Sequence, residues 1–491
     1  MKNISYWQKT TNLLLLPKIN QNLNIDIAII GGGITGIMCA YYLRNSGKKI
    51  AVFVQGTIGC QTTGHTTAKI SYLHKTIYQF LIHYYNTEIA HLYLESNKQA
   101  MEDIENIIKE EKIECDYQKN NAFIYTKHQS NSKYIKKEIE ALQKLGVKTI
   151  VNQHKDKSIL NSVGVDNQAV FHLLKYIYAI VEKCRESGIT IYENSKAIDF
   201  DIQKNRTIFK CNDYTVSSKQ TVFATRYPQI NFPETYFLKL SQTREVALHN
   251  YINNQENDSL LSIDNPNESF RPTQNGMIYA GYAFDVGSKI KDITIFDNNK
   301  QLFGKREIDY WAAQDAKTNR GIPYIGYFSS KYDHCYVACG YNKWGMTLSH
   351  VSARLLSDMI LHKENPYQTL YSPSYGNFNV SIRAIGKLTK SSIKGMIINR
   401  FAPFHIDLKK GEGKVVRNGF KLLAIYKDEK GKIHICKAQC RHLKCIVSFN
   451  ALEKTWDCPC HGSRYDVDGK LIEGPAVSSL RKVRIKRNNK E

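Results

Sequence analysis

Ile25-Asp26-Ile27-Ala28-Ile29-Ile30-Gly31-Gly32-Gly33-Ile34-Thr35-Gly36 is the stretch that decides the fold. The apolar run from Ile27 to Ile30 is what a parallel strand covered on both faces requires. Ile37 to Asn45 reads as a helix, Ser46-Gly47 supplies its stop, and Lys48 to Val54 is a second strand. The glycines therefore sit at a strand-to-helix turn. Gly31 permits the tight turn, Gly33 lets a pyrophosphate approach the backbone, and Gly36 lets helix and strand pack closely while the helix amino terminus faces the anion. Together these features predict a dinucleotide-binding βαβ unit. An acidic residue is expected at the end of the second strand to hold the ribose, and Val54-Gln55-Gly56 stands there instead. Gln55 can donate and accept hydrogen bonds in its place. No second glycine fingerprint occurs, which disfavours a separate pyridine-nucleotide domain.

Outward from this unit, about 75–145 reads as mostly helical and polar, and about 230–310 as alternating and aromatic. These two regions predict a substrate subdomain containing an antiparallel sheet. A strand-like HCYVACG and a helix-like SHVSARLLSDMILH close this first unit, so 1–372 is expected to form one α/β domain with an α+β substrate subdomain. Residues 373–408 lack a period and read as a linker. Residues 409–491 show short strands between turn residues, the pattern of a small all-β domain.

The chain has 491 residues, 42% of them apolar and 23% charged, which excludes wholesale disorder. Its net charge is +23, and the stretch 480–491 carries six basic residues and one acid. Such a surplus suits an acidic partner or an anionic membrane surface. No basic helix or RNA-binding signature accompanies it, so no nucleic-acid partner is expected. The apolar run Leu13–Leu16 is shorter than a signal-peptide core, and no run reaches the length of a membrane span. A cytoplasmic protein is expected, with the membrane surface as a secondary location.

Five of the 12 cysteines fall between Cys436 and Cys460. Within them, Cys440-x-His442 and Cys458-x-x-His461 are separated by fifteen residues. Two thiolates and two imidazoles suit a tetrahedral zinc. They equally suit a Rieske [2Fe-2S] centre, in which two cysteines bind one iron and two histidines the other. CRHLKC and CPCHGSRYD closely resemble the two Rieske boxes. The resemblance implies Cys440, His442, Cys458 and His461 as cluster ligands and a Cys445–Cys460 bridge pinning the loops. It also implies cluster-tuning hydroxyls at Ser463 and Tyr465, which raise the potential towards the upper half of the Rieske range of about −150 to +300 mV. Arg441 and Lys444 replace the usual threonine and glycine, and their positive charge acts in the same direction. Cys436, Cys39, Cys184 and Cys339 read as buried structural residues.

Gly59-Cys60-Gln61-Thr62-Thr63-Gly64-His65-Thr66-Thr67-Ala68-Lys69 follows the second strand closely. Its small hydroxyl residues resemble the corresponding loop of the FAD-dependent amino acid and amine oxidoreductases. Trp311 to Asp315, Gly321 to Gly326 and Gly340 to Thr347 extend that resemblance over about residues 1–375. It implies FAD, with Gly31, Gly33 and Gly36 at the pyrophosphate. It also implies Thr63, Gly64, His65, Thr66 and Thr67 together with Gly340, Trp344, Gly345, Met346 and Thr347 near the flavin ring.

The two resemblances together imply an oxidoreductase that takes two electrons from a small-molecule amine, amino acid or related donor and passes them singly through the cluster to an external acceptor. No catalytic acid or base stands out. Arg271 is a candidate carboxylate anchor, and His65 a candidate beside the flavin. The rival reading is a non-catalytic electron-transfer or redox-sensing protein with a degenerate flavin site, motivated by Val54.

Overall fold

The computed structural model describes residues 4–483 except 154–155, 229, 231–232, 252–256, 266, 289–307, 319, 376–406 and 420. The expected linker lies almost wholly outside the described residues, as does most of the basic carboxyl-terminal stretch.

Strand β1 (Leu23–Ile30) lies at the heart of an eight-stranded sheet. On one side it pairs in parallel with β2 (Ile50–Phe53), and on the other with the strand Tyr214–Arg226. Its two-residue alternation divides it between two cores. Ile27 and Ile29 enter the larger, with helices Ile34–Leu43, Leu173–Glu186 and Gly345–Ile360. Ala28 and Ile30 enter the other, with Phe53, Phe209, Phe223 and Phe328. Burial on both faces explains why the sequence there is continuously apolar.

The turn after β1 tolerates no side chains. Gly31 adopts φ +121°, and a Cβ on Gly36 would lie 1.9 Å from the Gly31 carbonyl oxygen. Helix and strand therefore meet through backbone alone. Val54 packs against Gly32 in the same turn, where a Cβ would lie 2.5 Å from a Val54 methyl. The valine is thus part of the turn's packing, and Gln55 is the exposed polar residue at the strand end.

A nine-stranded second sheet draws on the regions expected to form a substrate subdomain. Its strands also reach beyond them. Region 75–145 supplies helices Ile77–Tyr84, Thr87–Glu110 and Ser132–Lys144, and also the strand Gln118–Thr126, which pairs with Asn161–Val170 beyond that limit. At the other end, the strand Ile308–Thr318 extends the sheet past residue 310 and pairs along its whole length with Leu240–Asn250. Pairing partners distant in sequence decide these limits, and local periodicity does not register them.

The small domain has a three-stranded sheet (Gly413–Asn418, Lys421–Lys427, Ile433–Lys437). A four-stranded one follows (Ser448–Asn450, Thr455–Asp457, Arg464–Tyr465, Leu471–Glu473). Cys436, Trp456 and Tyr465 fill its core beside Cys440 and Cys458.

Candidate functional site

The carboxyl ends of β1 and Tyr214–Arg226 open onto a cavity of about 730 Å³, where ligands of open α/β sheets bind. Gly33 is the residue before helix Ile34–Leu43, so that helix's amino terminus faces the cavity. Gly31, Gly33, Gln55, Thr63, His65, Thr66, Thr67, Gly340, Trp344, Gly345 and Met346 all line it. A glycine turn that admits no Cβ, beside a helix amino terminus, fits a pyrophosphate.

Gly36, Gly64 and Thr347 do not line the cavity. Gly36 and Gly64 serve close backbone packing, and the Thr347 hydroxyl lies 3.4 Å from the Ser71 carbonyl and 3.2 Å from His74 Nε2. Trp344 is held in place by stacking on His74, with ring centroids 4.4 Å apart. His74 itself is bonded through both ring nitrogens, and burial pushes its pKa down to about 3.

Arg271 does not reach the cavity. It is buried, donates to the Phe171 carbonyl at 2.6 Å, and lies over the Trp7 ring at 4.8 Å. It shares a strand face with Ser269, which lines the cavity, but lies further along, where the amino-terminal segment covers it. His65 does line the cavity. Its Nδ1 lies 2.7 Å from the Gln61 carbonyl, and its own carbonyl accepts from Trp311 Nε1 at 2.8 Å.

Sequence reasoning missed Arg226 and Tyr227, which end the strand beside β1 and line the cavity. Their position at the carboxyl end of a strand next to the fingerprint strand was the available signal. It also missed the lysines of the second sheet and the small-domain segment Ile472–Ala476, which closes one end of the same cavity.

In the small domain the loops 440–445 and 458–463 are each closed by backbone bonds. The Cys440 N–H donates to the Cys445 carbonyl, and the Cys458 N–H to the Ser463 carbonyl, both at 2.8 Å. Cys445 and Cys460 are disulfide-bonded. Their sulfurs crowd Cys458, but a bridged sulfur offers no thiolate. Ligand capacity thus rests on Cys440, Cys458, His442 and His461.

The Cys440 thiol is pushed down to about 6, mainly by the Cys458 thiol bonded to it, with help from Tyr465 and Ser463. The Tyr465 hydroxyl lies 3.2 Å from Cys440 Sγ. His442 and His461 bring their Nδ1 atoms to 3.2 Å, and burial holds both imidazoles neutral, with pKa values of about 4 and 3. Paired thiols and neutral, converging imidazoles from two pinned loops fit a cluster with two sulfur and two nitrogen ligands.

Lys444, where the box usually has glycine, adopts φ +61°. A left-handed lysine costs about 1 kcal/mol. Lys444→Gly is therefore expected to raise the melting temperature and, by removing a cation, to lower the cluster potential. Thermal melts and a redox titration check both directions.

The histidines face the flavin domain. Phe237 meets His461 edge-on at 5.6 Å and His442 at 6.5 Å, while Tyr227 meets His442 at 6.3 Å. A buried ionic cluster fastens this contact. Arg244 of the flavin domain pairs with Glu453, and Arg226 with Glu473 at 2.6 Å. Arg464 binds Glu453 at 3.0 Å and Asp457 at 3.2 Å. Burial alone would raise the Glu473 carboxyl, but Arg226, Arg244 and Arg464 outweigh it and hold the group below its ordinary range. Gln314 Nε2 also donates to the Gly462 carbonyl at 2.8 Å.

Residues 26–359 match the FAD dependent oxidoreductase family, and residues 403–484 match the Rieske [2Fe-2S] domain. The chain belongs to the FAD-dependent oxidoreductase family. It is 32% identical to YhfW of Bacillus subtilis (strain 168), a protein named for a Rieske 2Fe-2S iron-sulfur centre, over 98% of this chain and 97% of that one. The cysteine-rich region is 56% identical over 43 residues to cytochrome b6-f complex iron-sulfur subunit 1 of Nostoc, covering 9% of this chain and 24% of that subunit. Glycine oxidase from Geobacillus kaustophilus shares the fold at a TM-score of 0.61 and 13% identity, over 72% of this chain and 99% of that one.

As a member of this family with a Rieske domain, the protein is an oxidoreductase whose cofactors are FAD and a [2Fe-2S] cluster. The zinc alternative falls with that match. Among the described residues, no helix is long and apolar enough to cross a membrane.

Proposed function

We propose that this oxidoreductase removes two electrons from a small amine, amino acid or related donor and delivers them singly to an external acceptor. Cys440 and Cys458 would hold one iron, and His442 and His461 the other. When bound, the flavin supplies two-electron acceptance from a C–H donor, and the cluster supplies one-electron transfer.

The observation that carries this reading is Tyr227, a residue that lines the flavin cavity and whose ring meets that of His442. Tyr227 is buried, and half-buried Phe237 meets the same His442 ring. Arg226, the preceding residue, fixes that geometry through Glu473. The segment Ile472–Ala476 joins the cavity wall from the cluster side, and the Ser463 hydroxyl accepts from the Ala476 N–H at 2.9 Å.

The exit face differs in character. Leu443 and Lys444 are exposed beside half-buried Arg441 and His442. A basic rim around an exposed leucine suits an acidic acceptor surface. The continuity between cavity and cluster speaks against the degenerate-site reading, as does Val54's part in the turn.

Anaerobic addition of amines and amino acids to the holoprotein tests the proposal. The expected result is flavin bleaching followed by the electron paramagnetic resonance signal of the reduced Rieske cluster. A donor that bleaches the flavin completely while the cluster stays oxidised would refute the relay.

A further inference from the structure

The wall of the cavity opposite the glycine turn is the face of the second sheet, and its residues follow the two-residue alternation of strands. Along Leu240–Asn250 the residues facing the cavity are Thr243, Glu245 and Ala247, and along Ile308–Thr318 they are Ala313, Asp315 and Lys317. Thr243 stands opposite Asp315, and Glu245 opposite Ala313. Ala280 of the next strand continues the row beside Ala247. Alanines on this face leave open space, and the charged residues surround it.

The balance of those charges is uneven. Lys343 is paired with Glu245 at 2.9 Å, and Asp315 accepts from the Lys343 backbone N–H. Lys75 and Lys317 line the same space, yet neither has a hydrogen bond or ion pair from its ammonium group among the described residues. Both are half-buried in the cavity wall. Burial, and then Lys343 and Lys317, push Lys75 down to about 8. Lys317 is also lowered, by burial first and by Lys343 next.

Ammonium groups drawn partly out of water with no partner are costly and are retained where something else compensates them. The backbone adds a second observation. Lys75 and Lys343 take φ of +61° and +75°, a region that non-glycine residues occupy at a cost. Lys75 follows His74, which is fully bonded and stacked on Trp344, so the strained position is held from both sides.

We infer that this chamber binds a donor bearing two carboxylates, taken between the ammonium groups of Lys75, Lys317 and Lys343. Two carboxylates match the two lysines whose ammonium groups have no partner, Lys75 and Lys317, whereas Lys69 on the same wall donates to the Leu260 carbonyl and the Ser269 hydroxyl. Asp315 on the same wall is the acidic group available to the donor's amine. The inference deepens the proposed function and rests on its reading of the cavity as the donor site.

Isothermal titration calorimetry of the oxidised holoprotein tests it without turnover, using malonate, succinate and glutarate against acetate. At least one dicarboxylate is expected to bind about 10-fold or more tightly than acetate, a difference of about 1.4 kcal/mol. Lys75→Met and Lys317→Met are each expected to abolish that preference. Ligand-free, both variants should melt no lower than the parent, because each loses a half-buried charge that has no partner. Equal binding of acetate and all three dicarboxylates, or variants that melt lower and keep the preference, would overturn the inference. Tight dicarboxylate binding in a protein whose flavin no amine bleaches would uphold the inference and sink the donor-oxidation reading. Bleaching by uncharged amines with no dicarboxylate binding would do the reverse.

Discussion

Replacing Arg244 with leucine is expected to uncouple the two redox centres while leaving each in place. Arg244 is 2% exposed, and its guanidinium bonds Glu453 and lies 3.7 Å from Glu473, both in the small domain. The interface holds three arginines, Arg226, Arg244 and Arg464, against Glu453, Asp457 and Glu473, so it is charge-balanced. Removing one arginine leaves a buried carboxylate uncompensated, which costs about 3–5 kcal/mol. That is a large share of what a docked interface can supply.

In stopped-flow measurements flavin bleaching should keep its rate. Appearance of the reduced-cluster signal should slow by more than about 10-fold, equivalent to about 1.4 kcal/mol on the barrier. The double variant Arg244→Leu/Glu453→Leu removes the charges as a pair and should recover part of the loss. Unchanged cluster reduction in Arg244→Leu would show that the ionic cluster does not govern the contact.

Gly36→Ala should yield a protein that retains its cluster and loses most of its flavin. The added methyl would sit 1.9 Å from the Gly31 carbonyl oxygen, a backbone atom in the turn that closes against Ala224. Overpacking of this kind costs about 1–3 kcal/mol, and up to about 100-fold in affinity if the strain falls on the bound turn. Absorbance of the purified protein reports flavin and cluster separately. Stoichiometric flavin in this variant would mean that the helix can shift without disturbing the turn.

These two residues mark what the sequence could and could not reveal. Gly36 was legible because its constraint is local: strand, turn and helix lie within one short segment, and each has its own signature. The cluster ligands were legible for the same reason, since two short loops carry all of them. Arg244 was not. It lies inside a strand whose alternation says only that successive residues face opposite ways, and its partners lie more than 200 residues away.

Lys75, Lys317 and Lys343 were hidden similarly, as three lysines in a lysine-rich chain, one on a strand of the second sheet and two in loops, distinguished only by the cavity they share. Arg271 shows the converse. Its sequence neighbourhood suggested an anchor, but its place along the strand, beyond Ser269, sets it among Trp7 and Phe171.

The strands Leu240–Asn250 and Ile308–Thr318 present Thr243, Glu245, Asp315 and Lys317 to the cavity, while Arg244 and Gln314 between them bond the small domain and Gln242 packs against Gly462. One sheet thickness is a shared membrane between two rooms. Any occupant that shifts these strands by a fraction of an ångström moves the docking side chains with them, and a change in docking presses back on the chamber. Coupling of this kind is reciprocal by thermodynamic necessity. The oxidation state of the cluster, if it alters how firmly the small domain sits, would then be read as a change in how tightly the chamber holds its occupant.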